Sequence, residues 1–256
     1  MWESIEIAHT HPKIRVVSIC WVYLEITLMN ENVQTLDYGV TSPAERNKVL
    51  RNTYWLLALS LLPTVLGAYI GVTTGITAKL TGFMGMIVFM AGAFGFIYAI
   101  EKTKNSALGV PVLLGFTFFM GLMLSRMIGV VLGFSNGASL VMTAFAGTAG
   151  VMVVMASLAT VIKRDLSGMS KWLFAGALVI MVAAVINVFV GSTALMAVIS
   201  TLAIAVFSAY LLYDLKQVMD GGETNYISAT LAIYLDLFNI FQSMLALLGI
   251  FGGDKD

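Results

Sequence analysis

Long apolar stretches separated by short polar or glycine-rich breaks dominate the chain. No charged residue falls between Met127 and Ile162 or between Trp172 and Tyr213, and Asp236 is the only one between Asn225 and Gly253. Each stretch exceeds the ~20 residues that a helix needs to cross ~30 Å of hydrocarbon. Continuous apolarity without period-2 alternation points to helices rather than a barrel, since lipid leaves only these two ways to satisfy every backbone polar group. The breaks predict seven helices, at about 53 to 76, 83 to 101, 106 to 127, 137 to 162, 171 to 190, 194 to 219 and 225 to 250. Gly71, Gly75 and Gly82, then Gly133 and Gly137, then Gly191 mark one set of turns. Glu101 to Asn105, Lys163 to Ser170 and Asp220 to Thr224 mark the other. Short connections make neighbouring helices antiparallel. The pattern predicts an all-α polytopic membrane protein, with one seven-helix domain at 44–252, an amino-terminal tail at 1–43 and a short tail at 253–256.

Composition narrows the chemistry. Of 256 residues, 59% are hydrophobic and 11% charged, against about 25% charged in a soluble domain, which excludes an ordinary soluble fold and a disordered chain. Fourteen acidic and 14 basic residues cancel, so there is no basic surface for a phosphate backbone and nucleic acid is excluded as a partner. One cysteine, Cys20, and two histidines, His9 and His11, are too few for a disulfide or a structural zinc site. The 16 methionines read as core filler. Gly82, Gly85, Gly92 and Gly95, then Gly147 and Gly150, follow small-residue spacing and read as helix packing rather than phosphate loops. Trp55, Trp172, Tyr98, Tyr213 and Tyr226 fall near predicted helix ends, as an interfacial belt requires. Pro63 predicts a kink in the first helix.

Basic residues set the orientation. Arg46, Lys48 and Arg51, then Lys102 and Lys104, then Lys163, Arg164 and Lys171, then Lys216 occupy alternate connections, whereas the opposite ones hold Lys79 and Arg126. The excess belongs in the cytoplasm, with the amino terminus. Ile14 to Met29 is apolar but interrupted by Arg15 and Glu25, too short and too charged for a span. From Met29 the chain reads as an ordinary polar tail, so Met29 is the expected start and residues 1–28 an upstream extension, which the intact mass of the natively expressed protein tests.

An ionisable group buried unpaired in a bilayer costs at least ~2.5 kcal/mol and is a functional candidate for that reason. Asp214, before the turn at Asp220-Gly221-Gly222, and Asp236, well inside the last helix, qualify. With the turn at Gly222, the two differ in depth by roughly 9 Å at 1.5 Å per residue, so contact needs a tilted or late-starting last helix. If they meet, repulsion in a low dielectric leaves one shared proton over a range of pH. The result is a proton-sensitive latch; losing the proton would separate the helices and leave hard oxygen ligands for a transient calcium ion. The alternatives are a solvated Asp214 paired with Lys216, and a neutral Asp236 bonded to Asn239 or Tyr234. Asn187 and Asn239 are candidate interhelical hydrogen-bonding groups. Neither a nucleophile nor a metal-ligand set accompanies the carboxylates, so hydrolysis is a poor fit. Intramembrane aspartyl protease motifs are half present: Asp236 sits in Tyr-Leu-Asp with no preceding glycines. No enzyme activity and no cofactor are expected.

Phe207-Ser-Ala-Tyr-Leu-Leu-Tyr-Asp-Leu-Lys216, Gly221-Gly-Glu-Thr-Asn-Tyr226 and Leu235-Asp-Leu-Phe-Asn-Ile-Phe241 closely resemble the carboxyl-terminal signature of the Bax inhibitor-1/YccA family, also called TMBIM. Val49-Leu-Arg-Asn-Thr-Tyr54 resembles its bacterial YccA branch, and Lys163-Arg-Asp-Leu-Ser167 its connection between the fourth and fifth helices. The similarity runs from about Ala44 to Gly252. It implies seven helices with the last one central and the other six around it. It also implies, for the calcium-leak members, that the positions matching Asp214 and Asp236 form a pH-sensing pair controlling opening. A basic latch at the inner end of the second helix would here fall to Lys102 or Lys104, in place of an arginine. The protein for which the YccA branch is named is similar in Gly-Gly-Glu-Thr-Asn-Tyr but lacks both aspartates, and is known as a modulator and poor substrate of an FtsH-type membrane protease, so this sequence combines features of both branches. The expected setting is the bacterial inner membrane. The expected partners are the lipid bilayer, calcium ions and protons, with an FtsH-type protease as the alternative.

Overall fold

A computed structural model describes residues 43–77 and 82–253. The expectations for residues 1–28, His9, His11, Cys20, Met29, Lys79 and Asp254 to Asp256 lie outside them. Among the described residues seven long helices follow one another: α1 (Pro43–Thr74), α2 (Gly82–Thr103), α3 (Gly109–Leu132), α4 (Gly137–Val161), α5 (Ser170–Val190), α6 (Thr193–Asp220) and α7 (Tyr226–Phe251). Six, all but α2, are long and apolar enough to cross a membrane. The 22-residue α2 has a similar make-up, its charges confined to Glu101 and Lys102 at its end. The chain is therefore a multi-pass membrane protein.

Two boundaries move from their expected places. α1 begins ten residues earlier than the hydropathy break at 53, so Arg46, Lys48 and Arg51 lie on its first turns rather than in a tail. Proline at the first helical position starts it, where the missing amide donor has no partner to lose. α3 runs on to Leu132, which leaves Arg126 exposed within it rather than at its end. At Pro63 the helix continues unbroken.

α7 is the centre of the bundle and packs against α1, α2, α3, α4 and α6. Eleven of its residues are buried, against one, Leu173, in α5, which packs mainly on α6. Phe116, Leu113, Leu211, Leu215, Ile233 and Ile240 from α3, α6 and α7 are wholly buried. Burying these side chains against protein rather than lipid gives no hydrophobic gain, so packing and hydrogen bonds hold the helices together. The tightest contact is α1 on α3. A Cβ on Gly67 would strike the Phe118 carbonyl, one on Gly71 the Ser125 side chain, and one on Gly121 the Thr64 carbonyl. Gly71, expected in a turn, is thus a packing residue within α1. Conversely, Gly95 and Gly150, expected to pack, face open space.

Hydrogen bonds fix α7 at three levels. Thr230 Oγ1 donates to Tyr226 O at 2.6 Å and reaches Thr53 O of α1 at 3.4 Å. At mid-height the hydroxyls of Tyr234 and Thr64 are 2.9 Å apart. At the far end Asn136 Nδ2, in the α3–α4 turn, donates to Gly252 O. Tyr234→Phe deletes one mid-height bond and should lower stability by about 1 kcal/mol, read as the thermal midpoint in detergent.

Candidate functional site at the end of helices six and seven

α6 ends at Asp220, where Gly221 takes a left-handed conformation, φ 83°, and its N–H bonds back to the helix. The chain then turns, with Gly222 N and Glu223 N both donating back to Gln217 O, and leaves helix until Asn225 caps α7. This late start accounts for a meeting that sequence counting made difficult. Asp214 is six residues from the end of α6 and Asp236 ten residues into α7, a depth difference of about 6 Å rather than 9. The two carboxyl groups lie within hydrogen-bonding reach of each other.

Asp236 is only 4% exposed, and Asp214 is half-buried. As carboxylates both are acceptors with nothing to donate, and Asp236 Oδ2, shielded from solvent, has no hydrogen-bond partner. A proton on either group turns that carboxyl into a donor to the other. A cavity of about 270 Å³ leads to Asp214 between α6 and α7, lined by Tyr213, Gln217, Glu223, Ser228 and Ala232 among others. Ala232 lies one turn above Asp236 on α7, so Asp214 meets water at the cavity wall while Asp236 sits beyond its floor. Glu223 adds a negative charge acting on Asp214.

The remaining candidates lie elsewhere. Lys104 Nζ pairs with Glu101 at 2.6 Å, and Lys102 Nζ stands 5.6 Å from the centre of the Tyr98 ring. Neither ammonium is brought into an ion pair with Asp214 or Asp236. Lys216, the alternative partner of Asp214, bonds Asp220 at 3.0 Å. Tyr234 turns away from Asp236 to Thr64 and Thr117. Asn239 Nδ2 donates within its own helix, to Leu235 O at 2.8 Å. Asn187 Oδ1 accepts from Ser192 N at 3.0 Å, closing the α5–α6 turn rather than bridging helices. No group of three metal-ligating side chains occurs among the described residues.

One residue of this region escaped the sequence reading. Asn225 Oδ1 caps α7 by accepting from Ile227 N and Ser228 N, and its Nδ2 donates to Lys104 O and Asn105 Oδ1. An asparagine immediately before an apolar helical run was the available signal.

The sequence model of a family described as inhibitor of apoptosis-promoting Bax1 matches residues 46–253. A membrane protein of Vibrio cholerae is 35% identical over 223 residues, covering 87% of this chain and 98% of that protein. An Escherichia coli protein named modulator of FtsH protease YccA is 34% identical over 224 residues, 88% of this chain and 100% of that protein. The same identity and coverage are found with a second Escherichia coli sequence named inner membrane protein YccA.

Proposed function

The chain belongs to the Bax inhibitor-1 family, and from that premise we propose that it is a pH-sensitive calcium leak of the bacterial inner membrane, gated by Asp214 and Asp236. The carrying observation is the contact of two carboxyl groups across α6 and α7, with Asp236 Oδ2 buried and without a hydrogen-bond partner. With the proton held, the contact ties the central helix to its neighbour. Once both groups are charged, they repel across a low dielectric and present hard oxygen ligands to a divalent cation entering by the cavity. The chain acts as a conduit and not as an enzyme. That end and the amino terminus face the cytoplasm, a reading supported by the excess of basic residues there, Lys163, Arg164 and Lys171 among them. Reconstitution into vesicles loaded with a calcium dye tests this. Flux should depend on pH, and a dependence unchanged in both Asp214→Asn and Asp236→Asn would defeat the mechanism.

A second reading rests on the relative named modulator of FtsH protease. Here the amino-terminal segment engages an FtsH-type membrane protease, and the chain regulates turnover of other membrane proteins. Deleting residues 29–42, which stops short of α1, should then abolish co-purification with the protease and leave vesicle flux intact. Retained association would count against this reading.

A further inference from the structure

We propose that Asn225 is a positioning residue that sets the height and rotation of Asp236 by clamping the start of α7 to the α2–α3 connection. The proposal rests on the leak reading for its functional consequence and on geometry for its structural one. All the hydrogen-bonding capacity of the Asn225 side chain that the surroundings use is divided between two tasks. Oδ1 receives Ile227 N at 2.9 Å and Ser228 N at 3.2 Å, which fixes where α7 begins. Nδ2 donates to Lys104 O at 3.2 Å and to Asn105 Oδ1 at 2.8 Å, which ties that beginning to a segment some 120 residues away in sequence. The backbone of Asn225 is held as well, its N–H donating to Glu223 Oε1 at 2.7 Å.

Asp236 lies 11 residues beyond Asn225, about three turns of helix, and so on nearly the same line along α7. Any slide or rotation of the capped end passes down a rigid helix to the carboxyl group that must meet Asp214. A cap alone would not do this, because it fixes the helix to its own first turn and not to the bundle. The second pair of bonds supplies the external reference. Glu223 belongs both to this clamp and to the cavity wall beside Asp214, so the clamp and the pair share one connection.

Other groups bear on the readout. Tyr210 and Tyr213 on α6 and Glu223 on the connection face the pair or its cavity. Glu101, Lys102 and Lys104 flank the other side of the clamp. Of the remaining helices packed on α7, α4 carries no titratable residue and α3 carries Arg126. The charges of α1 are Glu45, Arg46, Lys48 and Arg51 in its first turns.

The test uses the full chain in lipid vesicles with two readouts. Asn225→Ser keeps a neutral capping oxygen and removes both donors, Asn105→Ala removes one acceptor and leaves the cap, and Thr224→Ala, on the exposed connection, is the control. The first readout is cross-linking of Asp214→Cys to Asp236→Cys by a short bifunctional methanethiosulfonate reagent in a Cys20→Ser background. The second is the pH midpoint of calcium flux in chains that keep both aspartates. Asn225→Ser and Asn105→Ala should lose most of the cross-link and move the midpoint by about one pH unit, while Thr224→Ala changes neither. Unchanged cross-linking in Asn225→Ser and Asn105→Ala overturns the clamp, and so does an equal loss in Thr224→Ala. If the unmodified protein shows no pH-dependent flux, the leak reading fails on its own, and the cross-linking still decides the clamp.

Discussion

Asp236→Asn should leave calcium flux low and flat at every pH, whereas Asp236→Ala should leave it flat but high. The two substitutions separate the proton from the bond. An asparagine at this position donates its Nδ2 to the Asp214 carboxylate whatever the pH, so the contact between α6 and α7 persists without a titrating proton. Alanine removes the contact, and Asp214 remains as a lone carboxylate at the wall of the cavity. In the unmodified protein a single controlling proton changes the open population about tenfold per pH unit on the closed side of the transition. Both variants should lose that slope. Vesicle flux at several pH values reads the effect, with the variants matched for reconstituted protein. A slope retained in Asp236→Asn would assign the titration to some other group.

Gly121→Val should destabilise the fold more than any other single substitution considered. A Cβ there falls onto the Thr64 carbonyl, and backbone cannot swing aside as a side chain can. α1 and α3 would have to part along the contact that also holds Gly67 against Phe118. Overpacking costs typically ~1–3 kcal/mol, and an obstacle of backbone places this change at about 3 kcal/mol. Gly121→Ala should cost less, since its single methyl is smaller. Gly150→Ala, where nothing lies within 4 Å of the added carbon, should leave the thermal midpoint in detergent unchanged. Small-residue spacing alone does not identify the packed glycines.

The seven helices were legible because lipid demands length and apolarity, and both can be counted along the chain. Asp236 stood out for the same reason, as the one charge in a long apolar run. Its meeting with Asp214 does not follow from spacing. Spacing counted through the turn sets them apart, and only the non-helical Gly222 to Asn225 segment, with α7 starting at Tyr226, narrows the gap. That neither Lys102 nor Lys104 pairs with the carboxyls is not a matter of spacing at all. Lys104 is drawn to Glu101 and Lys102 to the Tyr98 ring by contacts three and four residues away on their own segment. Asn187 and Asn239 show the same limit. Both satisfy themselves locally, at a turn and within a helix, because the nearest backbone group competes well with a distant side chain. Asn225 is the converse case, a residue with an evident local role whose second pair of bonds depends on how α2 and α3 pack.

The most direct test of the shared-proton gate is a pH titration of calcium flux through the unmodified protein in dye-loaded vesicles, corrected for protein-free vesicles. Acid keeps the proton on the Asp214–Asp236 pair and the helices in contact, while rising pH removes it and drives the two charges apart. Flux should be low in acid and climb steeply with pH. Flux that falls with pH, ignores it or does not exceed that of the protein-free vesicles would contradict the gate.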